Sequence, residues 1–505
     1  MVLPRPALCI RDDGGPPDAM KRSIAVVPLA LFPDVRLRAA WVAGWLLMLG
    51  AALFGCSRGT RRTMRVDYSH SGNATEEHFA LERVVVEPLE WPGNPTRAID
   101  ETNLGKYFFE VIDSASHRVL YSRGFASIYG EWETTGEAKE RQQTFSESFR
   151  FPAVSDPAQI VLKKRDSSNL FREIWTLQLD PKQKAPDATK PSSPGPLIEI
   201  EKHGPSADKV DFLILGDGYT AAERGKFEKD ARRLVDLLFA TSPFRERRTD
   251  FNVWGLCPTA LESGISRPST GVHRKSPVGA TYDAFGSERY ILTFDNHALR
   301  DVAAFAPYEF IEILTNSNTY GGGGIFNLYS TVAADSLWSP YVFIHEFGHH
   351  FAGLADEYYT SDVSFEPAAE RTEPWEANVT ALRDPNNFKW KDLVSPGVPL
   401  PTPWAKEAFE TGAREYLKER RQIRAENRPE GEMDALFTRQ KVADMKLLSS
   451  GDHAGKVGAF EGALYEQKGF FRPQQDCIMF TRDDVPFCSV CRRTIDKVID
   501  FYVKH

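Results

Sequence analysis

The stretch from Pro340 to Tyr359, PYVFIHEFGHHFAGLADEYY, gathers three histidines, three acids and two glycines within a few turns of chain. Ser339 and Pro340 suit a helix start, because serine can cap and proline needs no donor in the first turn. Tyr341 to Leu354 then reads as one helix. His345 and His349 lie four residues apart, so they stand one turn apart on one face. Two neutral imidazoles so placed form a clamp for zinc. Glu346, beside the first histidine, can reach a water at the metal and act as general base. A polar surface helix could carry the same tetrad. The flanks YVFI and FAGLA are apolar, however, and buried histidines and acids need partners, which a metal provides. His350 points about 100° round the helix and reads as a core or supporting residue. Tyr358 and Tyr359 read as packing.

Catalytic zinc takes three protein ligands and leaves one position for water. In the metzincin spacing, H-E-x-x-H-x-x-G-x-x-H, a glycine ends the helix and the third ligand follows three residues later. Here Ala352 holds the glycine position and Ala355 the ligand position. Gly353 comes one residue later, and counting three on from it reaches Asp356. Asp356 is therefore the expected third ligand. Glu357 is the runner-up, and a glutamate from a later helix the third option. Met479, between Cys477 and Cys488, is a candidate floor for the site by packing rather than ligation.

These residues need a scaffold, and the chain of 505 residues is long enough for two or three domains. It is 42% hydrophobic and 26% charged, an ordinary globular composition. The net charge of −8 offers no basic surplus for phosphates, which argues against a nucleic-acid partner. The fold class expected is α+β multidomain. Residues 1–60 read as an export segment, with Arg36 and Arg38 before an apolar run from Ala39 to Phe54. Leu53-Phe54-Gly55-Cys56 is similar to a bacterial lipobox, so membrane contact is expected only through a lipid anchor at Cys56. Met20 is one candidate for a later true start. Residues 64–180 alternate aromatic and β-branched residues with polar ones and read as a β-sandwich accessory domain without a catalytic constellation. Residues 181–196 are a proline-rich linker.

Residues 197–505 form the second domain, with strands and helices alternating. Val210 to Leu215 is a buried strand, and Thr220 with Glu223 fits a capping box. In GGGGIFNLYSTVAAD, the glycines read as a turn and Ile325 to Val332 as a strand, a possible substrate-binding edge. Residues of about 404–450 read as an inserted helical hairpin. In an exported chain, Cys477 is expected to bridge Cys488 or Cys491, with a zinc knot ranked below that.

The motifs HEFGHHFAGLADEYY, EPWEANVTA, KWKDLV, EGALYEQKGFFRP, CIMF and PFCSVC, in that order, resemble the bacterial immunoglobulin A metallopeptidase family. The resemblance spans about Ile198 to Val503, and the strand-rich segment before it resembles that family's N-terminal domain. It implies a secreted zinc endopeptidase of metzincin-like α/β fold acting on protein or peptide substrates. Zn2+ would lie on His345 and His349, with Glu346 as catalytic acid/base. Tyr465 and His453 are candidates for an additional donor. A surface binding lipoprotein with a structural metal site is the alternative, and a zinc enzyme cutting a non-peptide amide a weaker one.

Overall fold

The computed structural model describes residues 62–182, 193–361 and 372–503. The export and lipidation readings on residues 1–60, and most of the proline-rich linker, lie outside them. Among the described residues, no helix is long and apolar enough to cross a membrane.

The N-terminal domain is two antiparallel sheets. Its strands are β1 (Arg62–Gly72), β2 (Glu77–Glu90), β3 (Tyr107–Asp113), β4 (Val119–Phe125), β5 (Gln143–Pro152), β6 (Ala158–Arg165) and β7 (Phe171–Leu179). One sheet runs β2-β1-β5 and the other β4-β3-β6-β7. The period-two alternation explains their common core. Met64, Val66, Tyr68, Phe149 and Phe151 of the first sheet bury against Tyr107, Phe109, Val111, Ile160 and Leu162 of the second. Two short helices, α1 (Ile128–Trp132) and α2 (Gly136–Glu140), fill the β4–β5 connection.

The second domain holds a six-stranded sheet. Its members are β8 (Ile198–Glu201), β9 (Val210–Asp217), β10 (Phe251–Leu256), β13 (Phe310–Thr315), β14 (Gly322–Ile325) and β15 (Tyr329–Ala333). Two-residue strands β11 (Ala280–Thr281) and β12 (Leu292–Thr293) pair separately. The order is β14-β15-β13-β9-β10-β8, with β10, β9, β13 and β15 parallel and the two edge strands antiparallel to their neighbours. Strand β9 is buried throughout, as its unbroken apolar run requires. The Thr220–Glu223 capping box forms and leads into α3 (Arg224–Leu238). Helices α4 (Asn296–Ala303) and α5 (Ser339–Ala352) follow. The helical hairpin is α6 (Lys406–Ala425) and α7 (Glu430–Leu448). Hairpin β16 (Phe460–Ala463)–β17 (Glu466–Arg472) and helix α8 (Ser489–Tyr502) complete the chain.

Two local expectations change. Ser339 does not cap α5: it is the first helical residue, Trp338 takes the cap position without a side-chain bond, and the Ser339 hydroxyl accepts from Arg233 instead. The glycine run is not a turn before one strand. Gly322 to Gly324 themselves form edge strand β14, and the turn falls at Phe326 to Leu328. The reason is close approach. A Cβ on Gly324 would lie 2.3 Å from the Glu346 carbonyl oxygen, so only glycine lets this strand lie on α5.

The domains meet beside that turn. Ala126 N–H donates to the Phe326 carbonyl at 2.9 Å, and Asn327 Nδ2 to the Gly124 carbonyl at 2.9 Å. Arg65, fully buried, links Asp67 of its own domain to Asp301 of the other.

Candidate metal centre

Helix α5 ends where the spacing requires. Gly353 adopts φ 58°, a left-handed conformation that glycine takes without a Cβ penalty, and its N–H closes the last turn on the His349 carbonyl. The chain then doubles back and brings Asp356 over the helix. Asp356 Oδ1 lies 3.0 Å from His345 Nε2 and 3.1 Å from His349 Nε2, and the two Nε2 atoms are 3.1 Å apart.

The other ring nitrogens are committed. His345 Nδ1 donates to the Ile478 carbonyl at 2.9 Å, and His349 Nδ1 to the Leu354 carbonyl at 2.5 Å. Such anchoring aims each Nε2 at the carboxylate oxygen, where it can hold either a proton or a metal ion. Three electron-rich atoms meeting in a buried place repel unless a cation sits among them. Ligands of a tetrahedral zinc stand about 3.4 Å apart, from bond lengths of 2.0–2.1 Å. The observed triangle is slightly tighter and fits such an ion. Burial pulls His349 down, yet Asp356 wins and holds it at about 9, while the two histidines keep Asp356 well below the ordinary carboxylate range despite burial. The locus thus attracts positive charge.

Glu346 stands beside this triangle, with a carboxylate oxygen within 4.8 Å of both ring nitrogens. Burial is the main cause that raises its carboxyl above the ordinary value. Tyr465 donates its hydroxyl to Asp356 Oδ2 at 2.5 Å. Leu464 and Tyr465, at φ 52° and 64°, form the tight turn of the β16–β17 hairpin. Their N–H groups bond the carbonyls of Asp356 and Tyr358, so the turn is fastened to the ligand loop. Met479 is fully buried, its sulfur against the Gly348 position of α5 and its carbonyl accepting from Glu357 N–H at 2.9 Å.

The structure therefore brings together His345, Glu346, His349, Asp356 and Tyr465, with Met479 packed beneath. It separates others. Glu357 turns away from the imidazoles, and its carboxylate lies against Cys488 and Cys491. His453 is not among the residues lining the cleft. His350 is core: Nδ1 donates to Ile325, Nε2 accepts from Ile311 N–H, and burial lowers it to about 3.

The centre opens into a cleft of about 680 Å³. Residues with no motif to mark them in the sequence line it. Arg289 donates to the Tyr358 hydroxyl at 3.3 Å. Lys106, Glu131 and Arg165 come from the N-terminal domain. Burial in that wall pushes Glu131 up to about 7. Gly322 and Gly324 of β14 also face the cleft, although Gly322 is already paired on its outer side to residues 289–291.

A histidine–carboxylate triangle beside a half-buried glutamate, at the floor of an open cleft, is the equipment of a hydrolase that uses a metal. The chain belongs to the IgA peptidase M64 family: the model described as IgA Peptidase M64 matches residues 198–499, and one described as Peptidase M64 N-terminus matches residues 57–176. It is accordingly a peptidase, with protein or peptide substrates. No curated protein matches the chain.

Proposed function

We propose that the chain is a zinc metalloendopeptidase of metzincin-like fold, exported by its N-terminal segment, whose two N-terminal sheets form a β-sandwich. His345, His349 and Asp356 would hold the zinc. The observation that carries the reading is the convergence of two anchored imidazoles and one carboxylate oxygen at 3.0–3.1 Å. Zinc held there supplies Lewis acidity, which makes water a stronger acid and stabilises negative charge on a carbonyl oxygen.

The chain's own residues supply the rest. Glu346 takes a proton from the attacking water and passes it to the leaving amine. Desolvation raises its carboxyl above the ordinary value, which strengthens it as a proton acceptor for this role. Tyr465 orients Asp356 through Oδ2. The Nδ1 bonds to Ile478 and Leu354 fix the tautomer and direction of each histidine.

The test is Glu346→Gln in the purified full chain. It is expected to retain the metal and lose casein cleavage by about 10²–10⁴-fold, the usual worth of a general acid–base group. A variant as active as the parent would remove Glu346 from the mechanism. Fractionation of cells expressing the full chain tests export, and a cytoplasmic product would refute it.

A further inference from the structure

On the far side of the ligand loop from the cleft lies a second group of potential ligands. Cys477, Cys488, Cys491 and Glu357 are each at most 3% exposed, and their ligand atoms all lie within 4.8 Å of one another. Cys488 Sγ is 3.4 Å and Cys477 Sγ 4.0 Å from Cys491 Sγ. Glu357 Oε1 is 3.4 Å from Cys491 Sγ and 3.9 Å from Cys488 Sγ. All three thiols are free, contrary to the bridge expected from Cys477. A single disulfide would join two sulfurs at about 2.05 Å and leave a thiol and a carboxylate buried against it.

We propose that Cys477, Cys488, Cys491 and Glu357 bind a second, structural zinc ion. Three observations support the site independently of the catalytic reading. The spacings agree with a tetrahedral shell, in which Zn–S bonds of about 2.3 Å set sulfurs about 3.8 Å apart and a sulfur and an oxygen about 3.5 Å apart. The backbone favours thiolates: Cys488 N–H points at Cys477 Sγ at 3.2 Å, and Cys491 N–H at Cys488 Sγ at 3.4 Å. Cys488 is also the N-cap of α8, where a negative ligand is stabilised. Finally, Glu357 Oε2 is buried with no hydrogen-bond partner, while Oε1 accepts from Asn378. Arg472 lowers the cost of this carboxylate's charge only through space, since the Arg472 guanidinium donates to the carbonyls of Gly462 and Gln475 instead. An unpaired buried carboxylate is costly, and a cation shared with three thiolates removes the cost.

Four protein ligands close the shell, which marks the ion as structural rather than catalytic. Its ligands come from three segments: the loop carrying Asp356, the turn carrying Met479 and the start of α8. Glu357 follows Asp356 directly, so the ion would fix the backbone from which the third catalytic ligand projects.

The experiment uses the full chain with both His345 and His349 replaced by alanine, which disables the first centre. After gel filtration this variant is expected to retain about one zinc per chain, with X-ray absorption showing sulfur neighbours at about 2.3 Å. Titrating the thiols with p-hydroxymercuribenzoate should release that zinc in step with thiol modification. Adding Cys491→Ser should abolish the retained zinc or prevent folding, and the histidine variant alone decides the question if folding fails. A variant free of zinc, one whose zinc has only nitrogen and oxygen neighbours, or a peptide map with Cys477 disulfide-bonded to Cys488 or Cys491 would overturn the site. A parent that holds only about one zinc per chain, all of it retained in the histidine variant, would count against the catalytic reading and leave this site standing.

Discussion

Gly324→Ala places a single methyl between the edge strand and the site helix. That Cβ would lie 2.3 Å from the Glu346 carbonyl oxygen and 3.0 Å from His349 Cβ. Ordinary carbon–oxygen contacts begin near 3.3 Å, so strand or helix must retreat by about 1 Å. Neither is free to yield cheaply. Strand β14 is paired to β15 and its turn is bonded to Ala126, while His350 ties α5 to the Ile325 carbonyl. Overpacking of this kind costs about 1–3 kcal/mol of stability. The larger effect should be on rate, because the residues pushed are the proposed base and a proposed ligand. A misplacement of about 1 Å can cost about 10²-fold, or roughly 2.7 kcal/mol of transition-state stabilisation. The assay is kcat/KM on a quenched fluorescent peptide, with zinc content and denaturant unfolding measured on the same preparation. Gly412→Ala is the control. Nothing lies within 4 Å of its Cβ in α6, so it should leave kcat/KM unchanged and stabilise the fold by about 0.5–1 kcal/mol. If Gly324→Ala kept kcat/KM within about 3-fold of the parent and unfolded at the same denaturant concentration, the argument from close approach would be wrong.

Tyr465→Phe removes the donor to Asp356 and should lower zinc affinity or kcat/KM about 10–100-fold without unfolding the chain; parental values in both would exclude its orienting role. Dialysis against a chelator should abolish casein cleavage, and zinc should restore it; full activity in metal-free protein would sink the metal mechanism. In the N-terminal domain, His70 is held between Glu147 and Glu77 at 3.0 Å each. Burial lowers its affinity for a proton, but the two carboxylates prevail and raise it above 6.5. Its contribution to stability is therefore complete below about pH 6.5 and is lost as pH rises through the elevated folded value. The stability gap between the parent and His70→Gln should shrink from pH 6 to pH 9, and a gap independent of pH would contradict the assignment.

The proposed ligands and the proposed base all lie in the second domain, yet the N-terminal domain is part of the site's surroundings. Lys106, Glu131 and Arg165 line the same cleft as Tyr290, Tyr320 and Trp375 of the second domain. Bonds from Ala126 and Asn327 hold the two domains together next to β14. A peptide approaching Glu346 would thus meet charged side chains from the N-terminal domain and both aromatic and charged ones, Arg289 and Glu376 among them, from the second. On the proposed mechanism, selection among substrates would be divided between the domains, while the proposed base and ligands stay on one helix and the loop after it.

Local pattern made most of the site legible. The i, i+4 histidines and the glycine-to-ligand count predict that His345, His349 and Asp356 converge, as they do, because a helix and its C-terminal turn have fixed geometry; that they hold a metal is the proposal. The alternating strands of the N-terminal domain and the apolar run of β9 were readable for the same reason. What stayed hidden depends on contacts far apart in the chain. The glycines of β14 read as a turn because four in succession carry no strand propensity; their reason lies in the backbone of α5, which no local window contains. Glu357 competed with Asp356 on paper because adjacent acids look alike in a sequence. Around a turn, however, they project to opposite sides, one to the imidazoles and the other to the thiols. The expected bridge from Cys477 does not form: an exported chain favours disulfides, but here three thiols stay free beside a carboxylate and two N–H groups, the arrangement on which the second zinc is proposed. A pair of neighbouring acids can thus serve two centres, and their division of labour is set by the residues that the fold brings to each side.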